Sequence, residues 1–161
     1  MMHPITYLNK FVLWHGNQLT LHNVIEATQI HKFKTLPSAV QTVVQTPVIN
    51  IVACGLEDGS VVLLNLLYDE ILFTFKMTQG AVNQISFLTD SNLGLSLMAT
   101  SCKDSGVITL WDLNAKKIWA EMKKPHSGRQ VTSVAFIPNE PVLVSSSEDD
   151  NSIKMWFFEK G

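Results

Sequence analysis

The chain of 161 residues is short of charge, short of cysteine and without long apolar runs. Charged residues make up only 16% and hydrophobic residues 46%, which argues against a disordered tail. A net charge of −2 exerts no general pull toward nucleic acid or acidic lipid, so any such binding needs a local patch. Cys54 and Cys102 are too few for a secreted disulfide framework and lack the close Cys/His spacing of a zinc site. They read as buried free thiols of a reducing compartment. No apolar run approaches the ~20 residues of a membrane-spanning helix. The richest stretch, Val61 to Leu67, is broken by Asn65. The first residues show no apolar core followed by a small-residue cleavage site, so no signal peptide is expected, and a nuclear or cytosolic address fits. The five histidines, at 3, 15, 22, 31 and 126, form neither H-E-x-x-H nor a paired spacing. Glu148-Asp149-Asp150 has no carbonyl-rich loop around it of the kind a calcium site needs. No metal and no cofactor are expected.

What the chain does have is a repeat. Gly106-Val-Ile-Thr-Leu-Trp-Asp-Leu113 alternates between two faces. Asn151-Ser-Ile-Lys-Met-Trp-Phe157, Gly59-Ser-Val-Val-Leu-Leu-Asn65 and Asn17-Gln-Leu-Thr-Leu-His-Asn23 do the same, each opened by a turn residue. Aligned on the tryptophan, the register residues are His22, Leu64, Trp111 and Trp156, at steps of 42, 47 and 45. A second marker keeps the order: Val40-Gln-Thr-Val43, Val82-Asn-Gln-Ile85 and Val131-Thr-Ser-Val134 lie 24, 29 and 25 residues upstream of the last three register residues. The extra length in the middle fits a longer loop around Asp90-Ser-Asn-Leu-Gly94.

The coarse reading is nearly all strand. Strands are expected near 8–14, 18–23 and 28–33, then 40–45, 49–54, 60–66 and 70–76. They continue at 81–87, 96–101, 107–112 and 116–122, then 130–136, 142–146 and 152–158. Gly16-Asn17, Asp58-Gly59, Ser105-Gly106 and Asp150-Asn151 supply the residues that tolerate the positive φ of tight hairpins. Four units result, roughly 1–36, 37–78, 79–124 and 125–161. The first lacks an inner strand and the last an outer one. Such a stack leaves apolar faces open, so self-association is expected.

A four-stranded unit of this length ending in Trp111-Asp112 resembles the WD40 propeller blade. Trp156-Phe157 keeps the Trp, Leu64-Asn65 is degenerate and His22-Asn23 more so. The implied fold is all-β: a partial WD40 β-propeller of about four blades, two complete and two incomplete, of four-stranded antiparallel sheets. Four segments narrow the resemblance: Thr6-Tyr-Leu-Asn-Lys10, Ala53-Cys-Gly-Leu-Glu-Asp-Gly-Ser-Val-Val-Leu-Leu-Asn-Leu66, Ile85-Ser-Phe-Leu-Thr-Asp90 and Val144-Ser-Ser-Ser-Glu-Asp-Asp-Asn-Ser-Ile-Lys-Met-Trp156. They are similar to consecutive blades in the first propeller of the family of tandem-propeller WD-repeat subunits of the UTP-B module of the small-subunit processome. That assembly contains the U3 small nucleolar RNA and matures small-subunit ribosomal RNA in the nucleolus. Trp14-His15 and His22 depart from the family pattern, and His22 is expected to fill part of a blade core.

The resemblance also implies a hydrogen-bonded tetrad in the last unit, carried by His126, Ser146, Asp150 and Trp156. An Asp–His–Ser string could suggest a hydrolase, but no nucleophile elbow or oxyanion-hole motif accompanies it. In the third unit the Asp position is Ser105, with Asp104 one residue early, so a full tetrad is not expected there. One basic cluster stands out: Lys116, Lys117, Lys123, Lys124 and Arg129. It is either a contact for RNA phosphate or an acidic partner, or a set of solvated charges that blunts a sheet edge. Glu121 dilutes it and no aromatic ladder for base stacking accompanies it, which favours the second. The expected function is a non-catalytic scaffold with protein partners in a large ribonucleoprotein, in the nucleolus or nucleus, with no membrane partner. The alternative is a peptide-recognition propeller acting as an adaptor in ubiquitin ligation or signalling.

Overall fold

A computed structural model describes residues 1–2, 9–76, 80–90 and 94–158. These residues form strands and turns, with no helix among them. The first sheet has β1 (Lys10–His15), β2 (Gln18–Asn23) and β3 (Gln29–Lys32). The second has β4 (Val40–Gln45), β5 (Ile51–Leu56), β6 (Ser60–Asn65) and β7 (Glu70–Lys76). The third has β8 (Val82–Asp90), β9 (Leu95–Cys102), β10 (Ile108–Asp112) and β11 (Lys117–Met122), and the last has β12 (Ser133–Phe136), β13 (Val142–Ser147) and β14 (Ser152–Phe157). All pairings are antiparallel between chain neighbours. This is the partial propeller that the repeat implies.

The sheets stack on one another. The core is therefore three layers between sheets, not one centre. Val12, Leu21, Val52 and Leu64 fill the first layer. Ala53, Val61, Val82 and Trp111 fill the second, and Leu88, Leu110, Val134 and Leu143 the third. Each fully buried Leu or Val contributes about 1.5–3 kcal/mol. Strands β5 and β10 belong to sheets with neighbours on both sides, so they are buried on both faces, whereas β3 is exposed throughout. The inner strands lean together: Asn83 donates its side-chain amide to the Val131 carbonyl at 2.8 Å, and the Phe136 amide donates to the Ser86 hydroxyl at 2.9 Å. Gly55 sits at a close approach, where a Cβ would come within 2.7 Å of Val82 and 2.8 Å of Thr42.

Two backbone features repeat with the register. A β-bulge interrupts pairing with the outer strand just before His22, Leu64 and Trp111. Five residues further, Ala27, Asp69 and Lys116 all adopt positive φ, at 52°, 52° and 54°. Between these points the residue after the register position caps the turn. Asn23 Oδ1 accepts the Ile25 and Glu26 amides, Asn65 Oδ1 those of Leu67 and Tyr68, and Asp112 Oδ1 those of Asn114 and Ala115. The Asp of the Trp-Asp pair is thus an Asx-turn cap, and Asn performs the same task.

The differences from expectation are local. Strand β12 begins at Ser133, not 130, because the Gln130 amide turns to the Asp149 carboxylate. Strand β5 begins at Ile51, not 49, because residues 46–50 form a loop with Asn50 at φ 64°. At the inner edge of the first sheet Met2 exchanges two backbone hydrogen bonds with Val12. The expected strand start at residue 8, loop residues 91–93 and the end of the last unit at 159–161 lie outside the described residues. His22 does not fill a core. It stacks on Phe11, with ring centroids 5.3 Å apart, on the face of the first sheet turned away from the second. Among the described residues no sheet packs there.

Candidate functional site

The most connected polar group lies in the last sheet. The Trp156 indole N–H donates to the Ser145 hydroxyl at 2.9 Å. The Ser145 hydroxyl lies 2.8 Å from His126 Nε2, and His126 Nδ1 lies 2.9 Å from Asp150 Oδ2. A hydroxyl that accepts from the indole has its own proton free for Nε2, which leaves Nδ1–H to donate to Asp150. The donor chain therefore runs Trp156, Ser145, His126, Asp150. Ser152 completes it: its hydroxyl and amide donate to Asp150 Oδ1 at 2.7 and 3.0 Å.

The third member is Ser145 and not Ser146. Alternation along β13 turns Leu143, Ser145 and Ser147 inward, toward the third sheet, and Val144 and Ser146 to the other side. Leu143 is the direct cross-strand partner of Trp156, so the side chain two residues on, Ser145, meets the indole on the same face. Ser147 is buried too, and its hydroxyl has no hydrogen-bond partner.

His126 and Ser145 are sealed from solvent, at 0% and 1% exposure. No substrate carbonyl reaches that hydroxyl, so the arrangement ties a turn to two strands. Asp150 is held below the usual carboxylate range, first by the Ser152 hydroxyl. Burial pushes the other way, and the hydrogen bond from His126 adds to the lowering. Among the described residues, the third sheet keeps the aromatic half of this arrangement. Trp111 donates to the Thr100 hydroxyl at 3.0 Å, which turns to the Thr109 carbonyl at 3.3 Å. Asp104 there packs on Gly80, where a Cβ would stand 2.7 Å from its carboxylate oxygen. In the second sheet only the turn survives, with Asp58 Oδ1 accepting from the amide and hydroxyl of Ser60.

The basic cluster divides in two. Lys116 and Lys117 stand at the start of β11, and Lys123, Lys124 and Arg129 follow its end. The six residues of β11 separate Lys116 from Lys123 by about 20 Å. All five are exposed. The turn after β11 is compact, since the Ser127 amide donates to the Lys124 carbonyl and the Arg129 amide to the His126 carbonyl. Cys54 and Cys102 are buried and unbonded to each other, and burial pushes the Cys54 thiol up to about 12. Among the described residues no three His, Cys, Asp or Glu side chains gather as a metal site.

Stacked three- and four-stranded sheets, a bulge before three of the four register residues and a capped Trp-Asp turn define a WD-repeat propeller. Residues 1–159 match the family model described as the WDR36/Utp21 first beta-propeller, and the chain belongs to that family. It is 34% identical over 160 residues to human WD repeat-containing protein 36. It is 32% identical over 161 residues to the U3 small nucleolar RNA-associated protein 21 homolog of Schizosaccharomyces pombe, and 29% to U3 small nucleolar RNA-associated protein 21 of Saccharomyces cerevisiae. Each alignment covers 99% of this chain but 17% of the relative, so the chain spans about a sixth of their length. Among solved structures, the computationally designed Ika8 protein superposes with a TM-score of 0.70 at 19% identity. That match covers 94% of this chain and 44% of the other, and it speaks for the fold alone.

Proposed function

We propose that this chain is part of a non-catalytic scaffold subunit of the small-subunit processome. It would act in small-subunit ribosomal RNA processing, in the nucleolus, by holding protein and RNA components in place. The observation that carries this reading is the family match over residues 1–159, together with the yeast relatives whose names tie them to the U3 small nucleolar RNA. The buried tetrad agrees with it, since its hydroxyl and imidazole serve the fold and leave function to the turns and rims.

Depletion of the protein in cells tests the proposal. Precursors of the small-subunit ribosomal RNA are expected to accumulate while large-subunit processing continues. Normal processing, with loss of a ubiquitin-ligase or signalling output instead, would favour the adaptor reading.

A further inference from the structure

The second and third sheets do not close fully on each other. At the end that carries the β4–β5 and β10–β11 turns they leave a cleft of about 280 Å³. Its walls are apolar: Leu63, Phe73 and Phe75 on one side, Phe87 and Leu113 on the other, and Val48 at the mouth. Phe73 and Phe75 meet edge to face at 4.7 Å, and Phe75 meets Trp111 the same way at 5.2 Å. The wall is therefore braced by ring contacts. The volume falls just below the ~300–1,000 Å³ of sites for drug-sized molecules, which suits an inserted side chain better than a whole cofactor.

Lys116 is the one charged residue lining the cleft. Its ammonium stands 4.9 Å from the centre of the Phe73 ring. No carboxylate among the described residues forms an ion pair with it. Its position is set by the capped turn, with Asp112 holding the Asn114 and Ala115 amides and Lys116 itself at φ 54°. The matching turn position one sheet earlier is Asp69, and its charge is used inside the chain. Asp69 pairs with His31 at 3.2 Å and accepts the Lys34 amide at 3.0 Å. At the first junction the turn's side chain has partners within the chain, and at the second the Lys116 ammonium lies over the Phe73 ring with no ion-pair partner among the described residues.

The surroundings point the same way. Val48 and Ile49 are 59% and 64% exposed on the β4–β5 loop, and Leu67 and Tyr68 are 58% and 71% exposed on the β6–β7 turn. A hydrogen bond from the Leu66 amide to the Asn50 carbonyl holds these two loops side by side. The opposite end of the second sheet presents Glu57 and Asp58 in its turn instead. The apolar shelf and the cleft thus share one end of the stack.

We infer that this end receives a segment of a partner protein that carries a bulky apolar side chain with a carboxylate beside it. The apolar side chain fills the cleft, the carboxylate pairs with Lys116, and flanking apolar groups lie on the shelf. An apolar mouth with a single cation matches such a peptide better than a phosphate backbone, which calls for a row of cations. The inference rests on reading the chain as a binding scaffold, but its test needs neither RNA nor the rest of an assembly.

The probe is a blocked heptapeptide with leucine and phenylalanine at its centre and aspartates on both sides. Its controls are the same peptide with lysines for aspartates and a short oligouridylate. Methyl NMR of the 161-residue chain would follow Leu63, Leu113 and Val48. The acidic peptide should shift these methyls saturably, and neither control should. Lys116→Asn keeps a residue that tolerates the left-handed backbone, and Val48→Asp sets a carboxylate at the mouth. Each should weaken binding by roughly tenfold or more, with indole signals unchanged as the sign of an intact fold. The proposal is overturned by unshifted cleft methyls at millimolar peptide, by an equal response to the lysine peptide or the RNA, or by unchanged affinity in both variants.

Discussion

Trp156 reaches Ser145 through its indole N–H at 2.9 Å, and one sheet earlier Trp111 reaches Thr100 in the same way at 3.0 Å. In both sheets the hydroxyl stands two residues beyond the direct cross-strand partner of the tryptophan. This diagonal fixes which serine matters in the last sheet. Ser145→Ala is expected to destabilise the chain by about 1–3 kcal/mol, because it leaves the indole and His126 Nε2 unpaired in a buried place. Ser146→Ala should stay within about 0.5 kcal/mol. Urea midpoints of the two variants compare them directly, and equal losses would count against the assigned register.

The carboxylate end of the same network sets a pH dependence. Asp150 is lowered in the folded state, first by Ser152 and further by His126. A lowered carboxylate stabilises the fold above its unfolded pKa of ~3.9, and that contribution fades as pH falls through the lower folded value. The urea midpoint should therefore drop between pH 5 and pH 2, and Asp150→Asn should flatten the drop. An acid limb of the same depth in the variant would place the effect elsewhere.

The last sheet ends in a strand with an open side. Ile153, Met155 and Phe157 lie on one face of β14 at 75%, 53% and 73% exposure, and no further strand pairs with β14 among the described residues. Edges and apolar faces of this kind associate. The 161-residue chain is expected to sediment and scatter light as a dimer or larger species. Replacing Ile153, Met155 and Phe157 with Lys, Glu and Ser should shift it toward monomer. A monodisperse wild-type monomer would contradict this.

The division of the basic cluster bears on RNA. Lys123, followed by Lys124 and Arg129 past the end of β11, stands about 20 Å from Lys116, and the cations are too few at either end to line a duplex or a strand. Changing those three to Glu should leave RNA affinity and its salt dependence unchanged. A fall in the slope of log affinity against log salt by about 2–3 would instead mean that all three contact phosphates.

Much of the fold is readable in the residues because its signals are local. Period-2 alternation and the turn residues place the strands within one to three positions, and the register of His22, Leu64 and Trp111 coincides with three bulges. The site is harder to read. Choosing Ser145 over Ser146 requires knowing which residue faces Trp156 across the hairpin, and that depends on the conformation of the turn at 148–151. Asn23 and Asn65 look like decay of a Trp-Asp motif until the amides they cap are seen. The second-third cleft is invisible in sequence, because Leu63, Phe87 and Leu113 come from three separate strands and turns.

The scaffold proposal is tested most directly by RNA recovered with the tagged protein from cells. The account predicts that U3 small nucleolar RNA and small-subunit precursor RNA are enriched over an untagged control, and that this survives the Lys123, Lys124 and Arg129 reversal. A protein purified in full yield without either RNA would contradict it.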